Sequence, residues 1–207
     1  MTRHLSEGER RAQILRAARA IFIEQGYLAA RVEDIAKRAN LSKGAVYFYF
    51  ESKRALFDAI VEEEHAITSS FLDAADRDTR PAEIKLVELG RKYLDYFAGL
   101  KTPPRFFLLM NEMAIRDDDI RRRVNAIHHS FIDRIAAVIE QGVQEEVFAP
   151  IDPVAVGQIL KALIDGLAGQ SAVGVRPDVE RLSSDGLRML LSGLMPRDER
   201  GASSDVA

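Results

Sequence analysis

The chain of 207 residues contains no cysteine. This excludes a disulfide scaffold and any thiolate-held zinc or iron–sulfur site, and it suits a reducing cytoplasm. Proline is scarce and nearly half the residues are apolar, so a globular, mostly helical chain is expected. No stretch reads convincingly as a strand, and there is no internal repeat. No segment approaches the roughly 20 uninterrupted apolar residues that span a bilayer. The first residues, MTRHLSEGERR, carry charges with no apolar core behind them, unlike a secretory signal. A cytoplasmic location with no membrane partner is the expectation.

Signatures of catalysis are also missing. There is no glycine-rich phosphate loop and no G-x-S-x-G. Glu62-x-x-His65 has the spacing of a di-iron ligand pair, which requires a second such pair. The residues three before His4, His128 and His129 are Met1, Asn125 and Ala126, so that pair does not exist. Asp117, Asp118 and Asp119 are explained as helix-start acids. No enzyme activity, metal or cofactor is expected.

What is present is an uneven charge. The net charge is −3, yet residues 1–60 hold 11 Lys/Arg against 7 Asp/Glu, and residues 61–207 hold 18 against 25. A basic head on an acidic body suits a nucleic-acid reader joined to a domain with another task. The length accommodates one medium domain or two small ones.

The organising stretch is VEDIAKRANLSKGAVYFYFESK, residues 32–53. Val32, Ile35 and Ala36 repeat as one face of a short helix. Asn40 tolerates a left-handed turn, Leu41 can fill the space between helices, and Ser42 can cap the next helix. That helix runs from Lys43 to about Phe50. Val46 and Phe50 share its inner face, while Lys43 and Tyr47 share a face pointing away. The outer face suits a DNA major groove. Gly44 and Ala45 permit close approach, and an alanine methyl can rest on a thymine methyl. Lys43, Lys53 and the hydroxyls of Tyr47 and Tyr49 can reach phosphates. Phe48 is as consistent with core packing as with the groove.

An amphipathic helix ending in glycine, then DIA, LSKGAVYFYF and SK, resembles the DNA-binding domain of the TetR family of bacterial transcription regulators, over about residues 10–60. The resemblance implies an all-α fold. Residues 1–51 would form a three-helix helix-turn-helix domain, residues 52–196 a helical ligand-binding and dimerisation domain, and residues 197–207 a flexible tail. It also implies DNA contacts from Arg31, Ser42, Lys43, Gly44, Ala45, Tyr47, Phe48, Tyr49 and Lys53. Two positions depart from the family pattern. Arg31 stands where Ser or Thr usually caps the helix and meets a phosphate, so a charged contact would replace a capped one. Ala45 stands where Thr or Ser is common, so a hydrogen bond is absent there.

The first helix is expected over residues 9–25, with Gly26 as its C-cap and Tyr27 and Leu28 packed behind it. Residues 1–8 are expected to be frayed, and Arg10 and Arg11 are equally suited to phosphate and to solvent. A long helix follows to about Ala75, in the family the link from head to body. Further helices are expected from Pro81 to Gly99, from Arg105 to Arg116, from the Asp117 cluster to about Glu145, and over residues 154–170. Gly157, Gly166 and Gly169 in the last of these would allow close packing. A final helix ends near Gly193.

The resemblance implies that the last two helices pair with a second copy, and their leucine content exceeds what one covering face needs. A two-fold pair of heads would read a palindrome. The middle helices would enclose a small apolar or amphipathic effector, with Tyr93, Phe97, Phe106, Phe107, Met110, Met113, His128, Phe131 and Ile164 as candidate lining. A ligand-released homodimeric repressor on double-stranded operator DNA is the reading reached. The alternative is a helical bundle that binds a small molecule or protein without DNA.

Overall fold

Ser6 starts the first helix. The computed structural model describes residues 6–100 and 104–196. In it the Ser6 Oγ accepts the Glu9 N–H at 3.3 Å, and the Ser6 N–H donates to the Glu9 carboxylate at 2.8 Å. This reciprocal capping box begins α1 (Glu7–Gln25) ahead of Glu9. Gly26, at φ +77°, ends it. The segments that follow are α2 (Val32–Arg38), α3 (Lys43–Tyr49), α4 (Lys53–Asp76), α5 (Ala82–Gly99), α6 (Arg105–Arg116), α7 (Asp118–Gln144) and α8 (Pro153–Ala172). The expected final helix is α9 (Val179–Arg181), a π-helical turn (Leu182–Gly186) and α10 (Leu187–Leu194). At the turn the Ser184 hydroxyl donates to the Glu180 carbonyl at 2.9 Å. It competes with the backbone for that acceptor, and Gly186 has little helix propensity. No strand occurs among the described residues, and the fold is all-α. No described helix is long and apolar enough to cross a membrane. The expected tail, 197–207, lies outside the described residues.

The chain divides into two compact units, residues 1–68 with 104–125, and residues 69–103 with 126–207. The division falls inside α4 and inside α7. Helix α6, read from sequence as part of the body, belongs to the unit that contains α1–α3. The reason is aromatic packing. Phe106 lies with its ring 5.2 Å from Phe57, and the Arg19 guanidinium sits 5.4 Å from the Phe106 ring. Ion pairs add to it: Arg54 bridges Asp58 and Asp117 at 3.0 and 2.8 Å, and Arg123 pairs with Asp58 and Glu62.

The core of this first unit follows the apolar stripes. Ile14, Ala18, Ile21 and Phe22 of α1 meet Val32 and Ile35 of α2, Val46 of α3, and Leu56, Phe57 and Ile60 of α4, all buried. Phe22, Tyr27 and Phe57 form a ring cluster with centroids 5.0–6.0 Å apart. Tyr27 therefore packs behind the α1 cap as expected, whereas Leu28 is 73% exposed.

In the second unit Tyr93 is buried at an edge-on 5.2 Å from Phe71 and 5.8 Å from Phe131. Asp152 caps α8 by accepting the Val154 and Ala155 amides. Gly157 of α8 sits against α7, where a Cβ would lie 2.8 Å from the Ile132 carbonyl oxygen. Gly166 and Gly169, expected to serve the same close packing, have nothing within 4 Å of an added Cβ.

Gly157→Ala should lower thermal stability, because a backbone carbonyl cannot step aside as a side chain can. The cost should be about 1–3 kcal/mol of overpacking, offset by less than about 1 kcal/mol of helix propensity. Gly8→Ala, with open space around it, should leave the melting temperature unchanged or slightly raised. Calorimetric melts of both variants check the contrast.

Candidate DNA interface and effector region

The turn between α2 and α3 is built by Asn40, which adopts φ +54°. The Leu41 N–H then donates to the Ala36 carbonyl at 2.9 Å. The Ser42 Oγ accepts the Ala45 N–H at 3.1 Å and starts α3. Val46 and Phe50 point inward, 0% and 4% exposed. Ser42, Lys43, Gly44, Tyr47 and Phe48 are exposed, and Ala45 and Tyr49 are half-buried. Phe48, for which core and groove were both open, is 81% exposed. Its ring stands edge-on to Tyr49 at 5.1 Å. Most of the residues expected to meet DNA from α3 are thus solvent-exposed. Arg31 is exposed as well. It occupies the N-cap of α2 without a side-chain capping hydrogen bond, leaving Glu33 and Asp34 in the first turn to offset the helix dipole.

Lys53 is the exception. It was expected to reach a phosphate, but its Nζ donates to the carbonyls of Tyr27, Leu28 and Ala30 at 2.8, 3.2 and 2.9 Å. Three donors meet three acceptors, and the ammonium also sits 4.7 Å from the Tyr27 ring. Burial lowers its pKa. In this structure Lys53 clamps the chain after α1 and offers no free N–H to DNA.

Three side chains of the head make contacts that were not read from the sequence. Arg11 donates to the Tyr49 carbonyl at 3.2 Å and lays its guanidinium 4.4 Å from the Phe50 ring, fastening the C-terminal end of α3. Gln13 donates to the Ala39 carbonyl at 2.7 Å and fastens the end of α2. Glu33 takes the Lys43 ammonium in an ion pair, with Lys43 held 5.7 Å from the Tyr47 ring. The Lys43 hydrogen bond is the leading cause that holds the Glu33 carboxyl below its usual range, and the same bond raises the lysine. Only the capping signal around Ser6 was legible locally; these three contacts join residues 10 to 38 positions apart.

The candidate effector residues fall in different units. Phe106, Phe107, Met110 and Met113 lie on α6 in the first unit. Phe106 and Met113 are buried there, and Phe107 and Met110 are half-buried. Tyr93, Phe97, His128, Phe131 and Ile164 lie in the second. Tyr93, Phe97 and Phe131 are buried, and His128 and Ile164 half-buried. Around them stand Phe71 and Tyr96, which complete an aromatic cluster not assembled from sequence. His128 Nδ1 lies 3.5 Å from the Asp165 carboxylate, which also pairs with Lys161, and Lys161 sits 5.6 Å from the Phe131 ring. Burial is the main cause that lowers the pKa of His128, with Lys161 adding to it and Asp165 opposing. Burial likewise lowers Lys161 against the pull of Asp165. The second unit therefore presents aromatic rings beside a compact polar group.

Comparison with known proteins matches two separate parts of the chain. Residues 14–60 match the family model of bacterial regulatory proteins of the tetR family, and residues 102–199 match the model of the BetI-type transcriptional repressor C-terminal region. An HTH-type transcriptional regulator of Bacillus subtilis, YfiR, is 26% identical over 200 residues, covering 93% of this chain and 95% of the relative. The fatty acid metabolism regulator protein of the same organism is 23% identical over 88% of this chain and 94% of its own length. The crystal structure of the regulator FadR from Bacillus subtilis in complex with stearoyl-CoA shares the fold, with a TM-score of 0.69 and 22% identity over 88% of this chain and 98% of that one. Taken with the helix-turn-helix and its exposed face, these matches show that the chain belongs to the TetR family of bacterial transcriptional regulators, as a DNA-binding regulator of the helix-turn-helix type.

Proposed function

We propose that this regulator is a cytoplasmic homodimeric repressor that binds a palindromic operator and is released by a small amphipathic effector. The observation that carries the DNA reading is the outer face of α3. Lys43, Gly44, Tyr47 and Phe48 are all exposed on a helix whose inner face is locked by Val46 and Phe50. Lysine and the tyrosine hydroxyl suit phosphate contact, and the glycine beside half-buried Ala45 lets the backbone approach base edges. Arg31 supplies a charged contact at the start of α2.

The dimer reading is supported by apolar side chains left in solvent. On α8, Ile159 and Leu163 are 58% and 47% exposed, one helical turn apart, and Gly166 continues their face with open space above it. Met189 of α10 is 67% exposed. A face of large and small apolar residues suits close packing against a second copy. One short reading helix contacts few bases, and a two-fold pair doubles the site.

The effector reading is supported by the rings of Tyr93, Phe97 and Phe131 with His128 beside them. Buried aromatic rings next to a polar group suit an amphipathic molecule such as a fatty acyl derivative. Two relatives, a fatty acid metabolism regulator and a regulator bound to stearoyl-CoA, bear names consistent with that class. Helix α4 belongs in part to each unit. Effector and operator would favour different conformations of it, and a coupling of about 1–3 kcal/mol would weaken operator binding roughly 5- to 150-fold.

A mobility shift on the DNA upstream of the chain's own gene, with footprinting, tests the central reading. A palindromic footprint whose affinity falls steeply with salt is expected. Replacing Lys43 and Tyr47 together by alanine should weaken it on the order of 10- to 100-fold. Unchanged binding in the double variant would remove α3 as the reading helix. Long-chain acyl-CoA added to the complex should release it, and release by small charged metabolites alone would sink the amphipathic assignment.

Leu163→Asp addresses the dimer. Sedimentation velocity should show a monomer of retained helicity, with operator affinity reduced on the order of 100-fold or more as bivalence is lost. A variant that stays dimeric would place the interface elsewhere.

A further inference from the structure

Glu33 is an acid on a surface read as meeting an acidic partner. It lies in the first turn of α2, 55% exposed, and shares an open groove with Lys37, Asn40, Ser42 and Lys43. The groove runs between the two helices of the helix-turn-helix. Any duplex docked on α3 brings phosphates to this side of the head. The Glu33 carboxylate is taken up by Lys43, the first residue of α3. Arg31, two positions before Glu33, is the other cation acting on it.

We propose that Glu33 is a specificity-determining residue of the DNA-binding head, which withholds Lys43 from arbitrary DNA and releases it on the operator. The inference rests on the DNA reading given above. A lysine held by a carboxylate neutralises no phosphate and displaces no counterion. On an arbitrary sequence the head has two options. It keeps the Glu33–Lys43 pair and forgoes a cationic contact, or it breaks the pair and leaves a carboxylate facing phosphates. Both weaken non-specific binding. The pair is relinquished without loss only where the duplex supplies an acceptor for the ammonium and a donor for the carboxylate together. A G·C pair presents both in the major groove, the guanine O6 and N7 for lysine and the cytosine N4 amine for glutamate. The N-terminal end of a recognition helix is the part that reaches base edges, and Lys43 occupies that end. Gln13 and Arg11 fasten α2 and α3, so the spacing of the two side chains is fixed before DNA arrives.

The test compares the full-length protein with Glu33→Gln, Lys43→Ala and the double variant. Each is measured on a site chosen by the wild type from random DNA and on a scrambled duplex, over a salt series. Glu33→Gln should strengthen scrambled-duplex binding roughly 2- to 5-fold. Operator affinity should not rise in step, so the specific-to-non-specific ratio falls. The slope of log K against log salt on the scrambled duplex should steepen by about 0.9, as one more lysine neutralises a phosphate. Repeating the selection with Glu33→Gln should relax a G·C preference at one position in each half-site. In the Lys43→Ala background the same substitution should leave the salt slope unchanged. An unaltered ratio and slope in Glu33→Gln, or an equal weakening on both duplexes, would overturn the proposal and leave Glu33 a plain surface acid. Failure of the wild type to select any sequence would instead defeat the DNA reading itself, and the proposal with it.

Discussion

Helix α3 cannot stand alone. It has seven residues, and an isolated helix of that length is far too short to hold itself together in water. Its existence depends on what grips it. Val46 and Phe50 are driven into the core of α1, α2 and α4, Ser42 closes the first turn, and Arg11 takes the carbonyl at the last one. Burying the inner face is what frees the outer face. With Val46 and Phe50 fixed, the helical repeat carries Gly44 and Phe48 to the opposite side and leaves Lys43 and Tyr47 on the flank between, and Phe48 is accordingly 81% exposed and Tyr47 42%. The same core explains why the loop after α1 needs Lys53. Three carbonyls there converge on one ammonium.

The charges of the head are therefore of two kinds. Some are spent internally: Lys53 on carbonyls, Arg11 on the end of α3, and Arg19 on Glu63 and Glu64 beside the Phe106 ring. Others stay at the surface, and Arg31 and the Glu33–Lys43 pair are the informative ones. Counting lysines and arginines in residues 1–60 treats all of these alike. The excess of positive charge is real, but only part of it is available to a phosphate backbone.

The second unit is organised by rings. Tyr93 stands between Phe71 and Phe131, and the Lys161–Asp165–His128 group lies beside Phe131. Close approach of α7 and α8 is possible because Gly157 has no side chain to meet the Ile132 carbonyl. Gly166, on the same helix, has no such neighbour and lies with the exposed Ile159 and Leu163. One helix thus uses its small residues in two different environments.

Local rules made much of this legible. Helix positions follow from apolar spacing, the turn at Asn40 and the cap at Ser42 follow from the conformations those residues favour, and the two faces of α3 follow from a repeat of 3.6 residues. Each depends on neighbours within about four positions, and the chain alone determines it. The Ser6–Glu9 box belongs to the same class and sets the start of α1. What tertiary structure decided lies beyond that range. Lys53 turns inward because the fold brings carbonyls 23 to 26 residues earlier beneath it. Phe106 joins the first unit because Phe57 and Arg19 receive it. Phe48 and Leu28 stay in solvent because no described element covers them. Glu33 meets Lys43 only once the turn at Asn40 has set the angle between α2 and α3. The spacing of residues along a helix is a property of the backbone, whereas the partner of a long charged side chain is whatever the completed fold places within its reach.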